Sequence, residues 1–266
     1  MPQSNSEISK YLRFAEWLAR GAGKILKRGF QSQLKIDYKG RINPVTQYDL
    51  ESERYITSQI RKRFPGHAIL TEEGNNVTEE STYRWVIDPL DGTVNFAHGF
   101  PVYCVSIALE CERRMIAGVV YDPERKELFS AGRGLGSRMN GEVIRVSTER
   151  NLQRALLATG FAYNIGTARR NNLGLFARMA KKAQGVRRPG SAAIDLCWLA
   201  CGRIDGFWEL YLHPWDTAAA WLIVQEAGGR VTRINGTRYS IFAHDILASN
   251  GRLHRAMMTA LKGRKR

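Results

Sequence analysis

The chain is poor in cysteine, histidine and long apolar runs, and each shortage removes a class of function. Only four cysteines occur in 266 residues, Cys104, Cys111, Cys197 and Cys201, and no two form a C-x-x-C pair. They stand among apolar neighbours, which reads as core thiols and not as a disulfide framework or metal ligands. The five histidines (His67, His98, His213, His244 and His254) are scattered, so no zinc site is expected. No apolar run approaches the ~20 residues of a membrane span. The opening "MPQSNSEISK" has none of the regions of a secretory signal. A cytoplasmic protein without a membrane partner is the expectation. Internal repeats and low-complexity segments are also missing.

Acids are outnumbered too. Forty Lys and Arg face 25 Asp and Glu, a formal charge of +15. Between Arg150 and Pro189 stand nine Lys or Arg and no acid, and the chain ends "LKGRKR". Such a balance suits either a solvated basic surface or attraction for anions, whether a phosphorylated substrate or nucleic acid. No aromatic-interleaved RNA motif or recognition helix accompanies the charge.

What is present fits one large domain or two small ones with a substantial core. Ser4 and Glu7 have capping-box spacing ahead of an apolar stripe, Ile8, Leu12, Ala15, Leu18, Ala22 and Ile25, which predicts a first helix. A second is expected from about Asp49, carrying Leu50, Ile56 and Ile60 and stopping at "FPG". Strand-like segments follow: "YRWVID", "VYCVSIALEC", "RMIAGVVYD" and "KELFSAG". "RMNGEVIRV" adds a hairpin signal at Asn140-Gly141. After about residue 147 helices alternate with short strands. Helices are expected over Arg169–Lys182, Ala192–Cys201 and Asp216–Ala227, the last with Asp216 as N-cap and Gly228-Gly229 as its stop. Residues 1–147 thus read as an α+β unit and 148–266 as an α/β unit, in stacked layers.

The segment 85–96, "WVIDPLDGTVNF", carries the first chemical signal. An apolar run delivers Asp88, and Pro89 is expected to end ladder pairing there, leaving Asp88 and Asp91 at the sheet's edge. Two ionised carboxylates ~4 Å apart repel by about 4 kcal/mol at an effective dielectric of 20, which a cation relieves. The Leu90 carbonyl lies between them, and hard cations such as magnesium take carboxylate and carbonyl oxygens. Gly92 and Thr93 offer unhindered amides and a hydroxyl suited to phosphate. A turn that merely caps a helix explains "DPLDGT" equally well by itself. Further acids at element ends shift that balance: Glu72 and Glu73 in "ILTEEG", Asp49 in "NPVTQYD", and Glu209 and Asp216 in "ELYLHPWDTAAA".

Together "LTEEG", "WVIDPLDGTVNF" and "HPWDTAAAWLIVQEAGG" resemble the signature set of the inositol monophosphatase family of magnesium-dependent, lithium-sensitive phosphatases. The likeness runs over nearly the whole chain in the right order. It implies a five-layer αβαβα sandwich, most often a homodimer, acting on a small phosphate ester with two to three Mg2+ ions. Carried over, it implies that Glu72, Asp88 and the Leu90 carbonyl bind one ion and Asp88, Asp91 and Asp216 a second. Asp49 would help place a third through water and hydrogen-bond Thr93. Glu72, Thr93 and Asp49 become the catalytic group that prepares the attacking water. Leu90, Asp91, Gly92, Thr93 and Asp216 surround the phosphate. Gly190, Ser191, Ala192 and Glu209 meet the alcohol, and Lys39 matches a basic residue of the loop before "VT". The family's usual D-x-V-T-x-x-D stands here as "NPVTQYD", with Asn43 in place of the first acid.

The expected reaction is hydrolysis of inositol 1-phosphate or a related polyol or sugar monophosphate, with no covalent phospho-enzyme. Ser191 sits in no G-x-S-x-G elbow and no histidine is placed to serve it, which excludes a serine hydrolase. Trp85, Trp215 and Trp221 are expected to pack the core. Alternatives within the family are 3′-phosphoadenosine 5′-phosphate and fructose 1,6-bisphosphate. From another class comes a regulatory partner of RNA or the transcription machinery, through the basic surface.

Overall fold

The computed structural model describes residues 4–39, 43–74, 76, 81–163 and 165–262. The side chain of Asn43 and the basic tail 263–266 lie outside the described residues. The first half opens with helix α1 (Asn5–Gly29), a two-stranded ribbon of β1 (Ile36–Lys39) and β2 (Asn43–Thr46), and helix α2 (Gln47–Arg63). A seven-stranded sheet follows in spatial order β3 (Ala68–Thr71), β4 (Tyr83–Asp91), β5 (Cys104–Cys111), β6 (Arg114–Asp122), β7 (Glu127–Gly132), β8 (Gly136–Met139) and β9 (Glu142–Val143). The short helix α3 (Thr93–Ala97) interrupts it after β4. Only β3 and β4 run parallel; the other neighbours are antiparallel.

The second half supplies β10 (Leu156–Thr159), α4 (Leu173–Ala180), β11 (Gly185–Arg187), α5 (Ala192–Ala200), β12 (Gly206–Leu210), α6 (Pro214–Glu226), β13 (Arg230–Thr232), β14 (Asp245–Ser249) and α7 (His254–Lys262). Its five strands pair in the order β11-β10-β12-β14-β13. Helices α1 and α2 pack on the large sheet, α5 and α6 lie between the two sheets, and α4 and α7 meet each other beyond the small one. The layers are therefore αβαβα, as the resemblance implies.

Strand β4 shows why its sequence is a continuous apolar run. Trp85 and Ile87 face the helices of the first layer, whereas Val86 faces α5 and α6, so both surfaces are buried. Each such side chain contributes roughly 1.5–3 kcal/mol of burial. Trp85 is fully buried, and Trp215 and Trp221 are partly buried against the central core. In α1, Ser4 caps as expected, its hydroxyl accepting from the Glu7 amide at 3.2 Å. Leu26 is fully buried at the end of the stripe, where Ile25 is only partly so. The Asn140-Gly141 hairpin joins β8 to β9 with φ of 51° and 90°, the left-handed pair such a turn needs.

Four expectations are corrected. Leu50 is 40% exposed, since the buried face of α2 is made by Asp49, Ser52, Glu53, Ile56, Thr57 and Ile60. Helix α4 is shorter than Arg169–Lys182. Its start is fixed at Asn172, whose side-chain amide turns inward to donate to Thr159 Oγ1 and the Gly160 carbonyl, holding the residues before it off the helix. Asp216 is not the N-cap of α6 but its third residue; Pro214 stands first, and Asp216 Oδ2 accepts from the His213 amide at 2.7 Å. Pro89 does not end β4. The register shifts between Asp88, opposite Ser106, and Asp91, opposite Cys104, and Pro89 lies inside that bulge, where no ladder N–H is required.

Candidate metal and phosphate site

The bulge in β4 is the foundation of the site. It places Asp88 and Asp91 on the same strand end without consecutive ladder positions, and the Leu90 amide donates to Asp88 Oδ1 at 3.0 Å. Ser52 of α2 donates its hydroxyl to the Pro89 carbonyl at 2.9 Å, so the bulge is also held from behind. Gly92 follows with φ +93°, and a Cβ there would lie 2.8 Å from the Val102 carbonyl oxygen. Only glycine satisfies both demands. Thr93 then opens α3, its hydroxyl 3.1 Å from Asp49 Oδ1 and 3.0 Å from the Leu90 carbonyl oxygen.

Asp49 and Asp216 do related jobs on different helices. Each is the third residue of its helix and reaches back with Oδ2 to an amide before the first turn, Thr46 at 2.8 Å and His213 at 2.7 Å. Asp49 also accepts from the Thr46 hydroxyl at 2.6 Å. Glu72 sits in the turn after β3, and that turn is clamped by Glu53. The Thr71 hydroxyl and the Glu73 amide both donate to Glu53 Oε2, the latter at 2.9 Å. Lys39 Nζ lies 3.4 Å from Glu72 Oε1 and 2.5 Å from Glu73 Oε1, a positive charge beside both.

These elements bring Glu72, Asp88 and Asp216 together, with one carboxylate oxygen from each lying within 4.8 Å of the others. At an effective dielectric of about 20 each ionised pair at that separation repels by ~3–4 kcal/mol. Burial, then the charges of Glu72, Asp91 and Asp216, hold the Asp88 carboxyl well above the usual carboxylate range. Burial likewise raises Asp216 well above it, with Asp91 and Glu72 adding to the effect. Burial pushes Glu72 up to about 7 against the opposing pull of Lys39. Asp91 rises to about 6 through burial, restrained by hydrogen bonds from Ser191 and Ala193. All the donors are carboxylate or carbonyl oxygens, which fits a hard divalent cation and not a thiophilic one.

The acids open into a cavity of about 640 Å³. Glu72, Asp88, Leu90, Asp91 and Asp216 line it, as do Gly92, Thr93 and Lys39. Gly190, Ser191, Ala192 and Glu209 line it from the second half of the chain. Asp49 does not; it stands behind Thr93, and its contact with the cavity runs through that hydroxyl. Asn95 joins the halves, its amide donating to the carbonyls of Val102 at 2.8 Å and Pro189 at 2.9 Å.

Sequence reasoning missed Glu53, Asn95 and Asp195. Glu53 stands four residues after Asp49 and four before Thr57, on the buried stripe of α2, and that acid in an apolar register was the available signal. Asp195 is equally out of place in the apolar helix "AAIDLCWLA". Asn95 had no signal, since its role is a contact across 94 residues of chain.

A sequence model of the inositol monophosphatase family matches residues 7–265. The chain is 43% identical over 260 residues to an inositol-1-monophosphatase of Synechocystis, covering 97% of this chain and 91% of that one. It is 40% identical over 254 residues to the Nus factor SuhB of Salmonella typhimurium, covering 94% and 95%. Among solved structures, the extragenic suppressor protein suhB of Bartonella henselae superposes with a TM-score of 0.90 at 38% identity, over 95% of this chain and 98% of that one. The inositol monophosphatase of Anabaena gives 0.87 at 39%, over 96% of each.

Proposed function

The chain belongs to the inositol monophosphatase family, and from that premise we propose that it is a magnesium-dependent phosphomonoesterase acting on inositol 1-phosphate or a related polyol or sugar monophosphate. The observation that carries the reading is the convergence of Glu72, Asp88 and Asp216, from three separated segments, at the wall of one cavity. Glu72, Asp88 and the Leu90 carbonyl would hold one ion, Asp88, Asp91 and Asp216 a second, and Asp49 would act on a third through water. Bound magnesium supplies positive charge beside the phosphoryl oxygens and makes its water more acidic.

The chain's own residues do the rest. The amides of Gly92 and Thr93 orient the phosphoryl group. Glu72, with the Thr93 hydroxyl held by Asp49, takes the proton of the attacking water. Thr93 is fixed for that task because Asp49 has no freedom, its other oxygen being tied to Thr46. Gly190, Ser191, Ala192 and Glu209 hold the alcohol, Glu209 by accepting from its hydroxyls. Lithium inhibition, a symmetric dimer, a cytoplasmic location and a division into units 1–147 and 148–266 belong to the same reading.

Phosphate release from a panel of monoesters, with magnesium and with a chelator, tests it. Release that requires magnesium and is greatest for inositol 1-phosphate is expected. No release from any ester would overturn the reading, and a tenfold preference for 3′-phosphoadenosine 5′-phosphate or fructose 1,6-bisphosphate would change the substrate.

A second reading has its own observation. Relatives at 40% identity carry the name Nus factor, and the basic run from Arg150 to Arg188 is exposed at every Lys and Arg but Arg178. A transcription-associated partner, RNA or protein, would use that surface. Salt-dependent RNA binding that persists in Asp88→Asn, which removes a metal ligand, supports the second role; absence of binding at low salt removes the RNA arm.

A further inference from the structure

Resting on the phosphatase reading, we propose that Asp195 determines specificity: its carboxyl, beside Glu209, accepts a hydroxyl of the substrate's alcohol part, so that the cavity favours polyhydroxylated leaving groups over plain ones. Asp195 is the fourth residue of α5, and it lines the cavity while being 1% exposed. Its Oδ1 is shut off from solvent with no hydrogen-bond partner among the described residues. An under-satisfied buried polar group costs about 1–3 kcal/mol, so packing does not account for an acid here. Its neighbours Ile194, Leu196 and Cys197 are buried apolar residues, and an apolar residue at 195 would continue them.

The position of Asp195 relative to the metal ligands is fixed. Ser191 caps α5 with its side-chain oxygen accepting from the Ile194 amide, and the same hydroxyl donates to Asp91 Oδ2 at 2.6 Å. Whatever is held near Asp91 by its phosphoryl end therefore meets α5 at a set distance. Glu209 reaches the same cavity from β12, in room left by Gly160, where a Cβ would lie 2.2 Å from Glu209 Oε1. Burial, then Glu209, raises the Asp195 carboxyl well above its usual range, and burial, then Asp91, pushes Glu209 up to about 8. Arg188 opposes both shifts and lines the cavity as well. Two carboxyls and one guanidinium offer both acceptors and donors, which matches hydroxyl groups, since each hydroxyl donates one bond and accepts two.

The test compares wild type, Asp195→Asn and Asp195→Ala on inositol 1-phosphate and on cyclohexyl phosphate, a ring ester without hydroxyls. The ratio of kcat/KM for the first over the second should fall about tenfold or more in Asp195→Ala, the scale of one hydrogen bond lost at a buried group, and less in Asp195→Asn, whose amide oxygen still accepts. A purely structural role lowers both substrates in proportion, leaves the ratio where it was, and overturns the proposal. If thermal unfolding shows that neither variant folds, the wild type crystallised with inositol and phosphate decides. A ring oxygen within about 3.2 Å of the Asp195 carboxyl supports the proposal, and none there sinks it. No release from either ester by the wild type with magnesium present marks failure of the phosphatase reading itself.

Discussion

Ser191 donates its hydroxyl to Asp91 Oδ2 at 2.6 Å, a bond that spans 100 residues and ties the end of β4 to the N-terminus of α5. The Ala193 amide joins it at 2.8 Å, so one carboxylate oxygen terminates a helix and the other remains for the cavity. Asp91 of the large sheet and the cavity wall formed at the start of α5 are thus positioned by a single group.

Replacing Ser191 with alanine removes that bond and the cap of α5 together. Unfolding in urea should show a loss of about 1–3 kcal/mol. The magnesium concentration for half-maximal activity should rise as well, because Asp91 is no longer held. A variant with normal stability and normal magnesium dependence would show that the Ala193 amide alone suffices.

Glu53 touches no part of the cavity, yet it sets the turn that carries Glu72. Glu53→Gln keeps the shape and removes the charge that holds the Thr71 hydroxyl and the Glu73 amide. Outer-sphere changes of this kind weaken metal affinity by roughly 10–100-fold. The expected result is a rise of that size in half-saturating magnesium, with most of kcat recovered at saturation. A collapse of kcat at every magnesium concentration, with metal affinity intact, would contradict a positioning role.

The acids of the site were legible because each ends a regular element, and regular elements leave periodic patterns. Asp88 closes an apolar run, and Asp49 and Asp216 stand in the first turns of their helices. The exact place of an acid within a cap was not legible: Asp216 as third residue or as N-cap gives the same spacing, and only Pro214 at the first position separates them. The bulge at Pro89 was hidden for a similar reason. A proline reads as the end of a strand unless the partner register is known, and Ser106 and Cys104 lie more than a dozen residues away. Asp195 and Glu53 needed the packed structure, since an acid inside an apolar helix declares itself only by what surrounds it.

The interface between β6 and α6 depends on a missing side chain. A Cβ on Gly118 would lie 2.6 Å from the carbonyl oxygen and 3.0 Å from the Cα of Ala219, and both are backbone atoms that cannot rotate away. Gly118→Ala should therefore force helix and sheet apart and destabilise by about 1–3 kcal/mol, although alanine is the smallest change available. A midpoint of thermal unfolding equal to that of the wild type would show that α6 can shift without loss.

The pH dependence of stability separates an ion site from a merely acidic cavity. Burial lifts Glu72 from 4.5 to about 7 and Glu209 from 4.5 to about 8, and raises Asp88, Asp216 and Asp195 well above their ordinary 3.8. In the ion-free protein these groups hold protons that the unfolded chain has already released, so stability falls as pH rises through the raised values. Buried histidines act in the opposite sense: His254 is lowered from 6.5 to about 4, and the fold loses stability as pH drops below 6.5. The window from pH 6.5 to about 8 is therefore governed by the carboxyls. There the chelated protein should melt at progressively lower temperature. Magnesium would compete with the protons on Glu72, Asp88 and Asp216 for their oxygens, so its stabilising increment should grow across the same window. Thermal unfolding at pH 6.5, 7, 7.5 and 8, with magnesium and with chelator, measures both slopes. An increment that is flat, or larger at pH 6.5 than at pH 8, would mean that the ion and the raised carboxyls do not share a site.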